Sequence, residues 1–106
     1  MAYIQPTYKT SNKVTERYLI DTYGFKKSMY GTILRFPVYK YKNKPLIFAE
    51  FIFDNDENQI SIRAIDDKGN IHNYNKEEYG RSDVITCINK ELWKTINKLI
   101  EGGVIC

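Results

Sequence analysis

"GTILRFPVYKYKNKPLIFAEFIF", residues 31–53, decides the fold. Its first half alternates. On an extended chain Leu34, Phe36 and Val38 share one face, and Arg35, Tyr39 and Tyr41 share the other. Pro37 has no N–H to give a neighbour, which places this strand at a sheet edge. "KNKP" reads as a turn. "LIFAEFIF" is apolar almost throughout, as expected of a central strand covered on both faces. Two strands joined by a tight turn make a hairpin, and the rest of the chain extends it.

Downstream, "DNDEN" is a polar turn and "QISIRAI" the next strand. "DDKGN" is a hairpin signal, with Gly69 able to take positive φ. "IHNYN" reads as a short fourth strand. "SDVITCINKELWKTINKLIEGG", residues 82–103, is the best helix. Ser82 or Asp83 can cap it. Ile85, Ile88, Leu92, Ile96, Leu99 and Ile100 form an apolar stripe, Trp93 flanks that stripe as a core residue, and Gly102 and Gly103 end it.

Upstream, "TSNKVTERYLIDTYG" suggests a helix over about 12–23, capped by Asn12 or Ser11 and stopped at Gly24. Val14, Tyr18 and Thr22 would share a face with Leu19. A strand is the rival reading, since Val14, Tyr18 and Ile20 also alternate. Residues 1–10 look extended and loosely held, because Pro6 discourages helix. The fold class is α+β. An antiparallel meander of three to four strands lies between an N-terminal helix and a C-terminal amphipathic helix packed on the sheet. A chain of 106 residues forms one domain.

Composition narrows the function classes. Hydrophobic residues make up 42% and charged residues 27%, which are globular values and exclude wholesale disorder. No apolar run reaches the roughly 18 residues of a membrane span, and the first residues lack a secretory apolar core. A cytoplasmic location is expected. Cys87 and Cys106 have neither CxxC nor metal-ligand spacing, so both are expected as free thiols, with Cys87 a small core residue. Abundant Ile, Lys, Asn and Tyr reflect A/T-rich codons, common in low-GC bacteria and their phages.

Charge is unevenly placed. Residues 1–48 carry nine Lys/Arg against Glu16 and Asp21, a net of +7, whereas residues 49–83 carry a net of −5. Seven of the nine tyrosines precede residue 42, interleaved with cations. Aromatic faces and cations together suit protein hot spots or unpaired bases. The candidate binding residues are Arg35, Tyr39, Lys40, Tyr41, Lys42 and Lys44, joined by Lys90, Lys94 and Lys98, which recur every four residues on the last helix.

Catalytic readings have less support. His72 is the single histidine, and the glycines form no phosphate loop. Asp54, Asp56 and Asn58 begin like a calcium loop, but Gln59 and Ile65 stand where Gly and Glu are needed, so a plain turn is expected. Glu50, Asp66 and Lys68 are the remote catalytic candidates. The order helix, meander, helix resembles the core order of PD-(D/E)xK nucleases, and that resemblance implies a Mg²⁺-dependent site on those three residues. It holds only in the register that sets Asp54 opposite Ile60, since a one-residue slip sends Glu50 and Asp66 to opposite faces. No cofactor or metal is expected. The favoured reading is a small non-enzymatic protein of a phage or mobile element, an accessory or inhibitor that docks on a host protein or nucleoprotein. A basic single-strand nucleic-acid module is the alternative.

Overall fold

The computed structural model describes residues 7–29, 31–72 and 82–105. Along these the order is β1 (Thr7–Lys9), α1 (Glu16–Tyr23), β2 (Lys26–Ser28), β3 (Gly31–Tyr41), β4 (Lys44–Asp54), β5 (Gln59–Asp66), β6 (Ile71–His72) and α2 (Ser82–Glu101). All strand pairs are antiparallel, in the order β1-β5-β4-β3-β2, with β6 also pairing β5. The α+β architecture with a helix at each end of the sheet is as expected. The meander is longer: Lys26–Ser28 pairs with Gly31–Ile33, and β1 closes the far side. Residues 1–6, the end of the expected fourth strand at 73–75, and Cys106 lie outside the described residues, as do the Ser82, Asp83 and His72 side chains.

Tight turns set the register. Lys42 and Asn43 have φ of 50° and 65°, and their neighbours Tyr41 and Lys44 pair directly. Positive φ at both central residues is the hairpin turn that matches strand twist. The next turn spans residues 55–58, where Asp54 Oδ1 accepts from the Asp56 and Glu57 amides at 2.9 and 3.2 Å. The calcium-like stretch is therefore an Asx-type turn, as expected.

One face of β4 carries Ile47, Ala49, Phe51 and Phe53, and β5 answers with Ile60, Ile62 and Ala64. Both helices cover this face, sending Leu19 from α1 and Val84, Ile88, Ile96 and Leu99 from α2 into one cluster. Truncating a ring such as Phe51 to Ala costs about 3–5 kcal/mol. The other face of β4 carries Phe48, Glu50 and Ile52 and points away from the helices, so the apolar run is not buried evenly.

Helix α1 is shorter than the sequence suggested. Its cap is Thr15, whose hydroxyl accepts from the Tyr18 amide at 3.1 Å. Ser11 instead shapes a preceding turn, accepting from the Val14 amide through its carbonyl at 3.1 Å and from the Lys13 amide through Oγ. Val14 and Leu19 are buried while Tyr18 and Thr22 are exposed, so the expected shared face is corrected. Helix α2 ends in a Schellman motif. Gly103 has φ 74°, its N–H donates to the Ile100 carbonyl, and the Val104 N–H donates to Leu99. Val104 and Leu99, the apolar pair of that motif, are both fully buried.

Candidate docking surface

Strand β3 positions the surface. Beyond Ile33 it has no outer neighbour among the described strands, so residues 34–41 form an open edge, as Pro37 implied. After Pro37 the register breaks. Pro37 pairs with Phe48 and Tyr39 with Ile47, leaving Val38 as the extra residue of a bulge. A bulge flips the alternation. Tyr39 therefore turns to the helix side, half-buried against the core, and does not share a face with Arg35. That corrects the expected Arg35–Tyr39–Tyr41 face.

The structure splits the sequence-derived candidates into groups. Tyr39, Lys40 and Lys90 converge on a cleft of about 400 Å³ between the β3 edge and the first half of α2, with Cys87 and Glu91 in its wall. Tyr41, Lys42 and Lys44 stand together at the hairpin tip. Tyr41 is 55% exposed, and Lys42 Nζ sits 5.5 Å from its ring centroid. Arg35 projects to the far face and lies 4.7 Å over the Phe48 ring.

The lysines of α2 lie along one exposed face, but their surroundings differ. Lys94 bonds Glu91 at 3.3 Å. Lys98 lines a separate cleft with Tyr23, whose hydroxyl donates to the Lys98 carbonyl at 3.5 Å. Burial pushes the Tyr23 phenol pKa up, and a hydrogen bond and charge interaction with Tyr18 add to it. Cys87 is exposed rather than a core residue. Trp93 is 53% exposed, on the solvent side of α2 near Ile100, and does not join the core.

The nuclease geometry is not formed. Asp54 faces Gln59, so the register is one step from the one required. Glu50 faces Arg63 and Asp66 faces Ile47, three positions away on β4, which places the two carboxylates on opposite sheet faces. Glu50 Oε1 instead accepts from Arg63 Nε at 2.6 Å. Asp66 Oδ1 accepts from the Lys68 and Asn70 amides at 2.9 Å, the work of a turn residue. Among the described residues no three His, Cys, Asp or Glu gather at metal-binding distance.

Two features escaped the sequence reading. Lys26 joins Arg35, Ile33, Pro37 and Phe48 around a second cleft of about 400 Å³ on the far face. The Glu50–Arg63 pair is the other. Its signal was opposite charge at directly opposed positions, readable once the register is known. Among the described residues no helix is long and apolar enough to cross a membrane. Comparison with family models, curated proteins and solved structures returns no match for this chain.

Proposed function

We propose that this is a small non-enzymatic docking protein whose cleft between the β3 edge and α2 receives an acidic surface of a partner protein. The convergence of Tyr39, Lys40 and Lys90 carries the reading. An aromatic ring and two cations around a depression are the makings of an interface hot spot. The basic tip at Lys42 and Lys44 extends the same sign of charge beside it. The small size and A/T-rich composition suit a phage or mobile-element accessory that acts by binding a host protein. Single-stranded nucleic acid is the second reading, favoured by exposed Tyr41 next to Lys42 and Lys44 at the tip.

The test is affinity capture from a host lysate with the wild-type protein and with a Lys40→Glu/Lys90→Glu variant, read by mass spectrometry. A partner enriched by the wild type and lost from the variant is expected. Identical capture by both proteins overturns the reading. Binding of a labelled oligothymidylate that falls steeply with added salt would select the nucleic-acid reading instead.

A further inference from the structure

The cleft just described has a counterpart across the sheet. Pro37 lines both, so the helix-side and far-face clefts back onto each other at the open edge of β3. Their chemistry differs. The helix-side cleft offers Lys40, Lys90 and Tyr39. The far-face cleft has apolar walls of Ile33, Pro37 and Phe48, with Lys26 and Arg35 at its rim. The carboxylates within reach are already engaged: Glu91 by Lys94 at 3.3 Å and Glu50 by Arg63 at 2.6 Å. Lys26, Lys40 and Lys90 have no ion-pair partner among the described residues.

An extended chain sends successive side chains to opposite faces, about 3.3 Å apart along its length. A chain lying along residues 34–41 therefore feeds the two clefts alternately. We infer that the occupant is an extended segment of a partner protein in which acidic and apolar residues alternate. Its carboxylates enter the Lys40–Lys90 cleft and its apolar side chains enter the Ile33–Phe48 cleft. Pro37 contributes no N–H, and the bulge at Val38 breaks the edge, so side-chain recognition outweighs main-chain pairing here. This inference rests on the docking reading above and adds the second cleft and the pattern of the ligand.

Fluorescence anisotropy tests it with three labelled probes at low salt: a decapeptide of alternating Glu and Val, a block peptide of the same composition, and oligothymidylate. The proteins are the wild type, Lys40→Glu/Lys90→Glu for the helix side, and Lys26→Glu and Arg35→Gln for the far face, each checked for folding by thermal melting. The alternating peptide should bind the wild type about tenfold more tightly than the block peptide, and each variant should weaken it about tenfold. Loss confined to the helix-side variant overturns the two-cleft inference while leaving the docking reading in place. Equal binding of the two peptides overturns it as well, as does tighter binding of oligothymidylate. Absence of peptide binding overturns it too, and lysate capture then decides the broader reading separately.

Discussion

Thr32 sits in the core with its hydroxyl buried and, among the described residues, without a hydrogen-bond partner. A buried polar group left unpaired costs about 1–3 kcal/mol. Thr32→Val keeps the β-branched shape and removes that cost. Thermal melting should show a rise of about 4 °C, corresponding to about 1 kcal/mol. Glu50 presents the opposite case, because its side chain is 9% exposed and paired with Arg63. Glu50→Ala strands a cation against a largely apolar sheet. The expected loss in chemical denaturation is about 1–3 kcal/mol, below that of a fully buried pair because Arg63 keeps 29% of its side chain in water. A variant as stable as wild type would show that the pair is only a surface contact. At this scale the sequence concealed most. Strict alternation points Tyr39 outward because it ignores a bulge, and Pro37 next to Val38 is the one local mark of it. Residue type alone points Cys87 and Trp93 inward, yet both fall outside the arc set by Val84, Ile88, Ile96 and Leu99.

At the element scale, the end of α2 depends on two glycines for different reasons. Gly103 supplies the left-handed residue of the Schellman motif. Gly102 supplies room, since a Cβ there would collide with the Tyr23 hydroxyl of α1. Gly102→Ala should destabilise by about 1–3 kcal/mol, the usual range for overpacking. In a double-mutant cycle Tyr23→Phe should recover much of that loss, since it removes the colliding oxygen. Additive effects of the two substitutions would place the strain elsewhere. The strands were legible because their apolar spacing and turn residues agree, from Leu34–Phe36 to Gly69. Strands β1 and β2 were not, since three residues apiece, TYK and KKS, form no pattern and exist by pairing with a longer neighbour. The sequence leaves the start of α1 ambiguous because Ser11, Asn12 and Thr15 all carry capping side chains, and only the turn closed by Ser11 picks Thr15.

For the whole molecule, β4 separates two charged ends. Lys40, Lys42 and Lys44 mark one, and Asp54, Asp56 and Glu57 mark the other, about 33 Å away for eleven residues at strand rise. Asp66 and Asp67 temper the basic end, because β5 returns there. Lys9, Lys26 and Lys27 pair beside the acidic end, so folding keeps a local basic tip rather than a polar axis along the sheet. Such a field steers encounter more than it sets the lifetime of a complex. Lys42→Glu/Lys44→Glu should slow association with an acidic partner, most at low salt, and leave dissociation nearly unchanged in stopped-flow or surface-binding kinetics. A faster dissociation would instead put the tip inside the contact.

Hydrogen exchange of the protein alone and saturated with its captured partner gives the most direct reading of where docking occurs. Amides of residues 34–41 and of the first half of α2, 84–91, should slow together on binding. Protection confined to the acidic turn at 55–58, or to the last turns of α2, would contradict docking at the β3 edge.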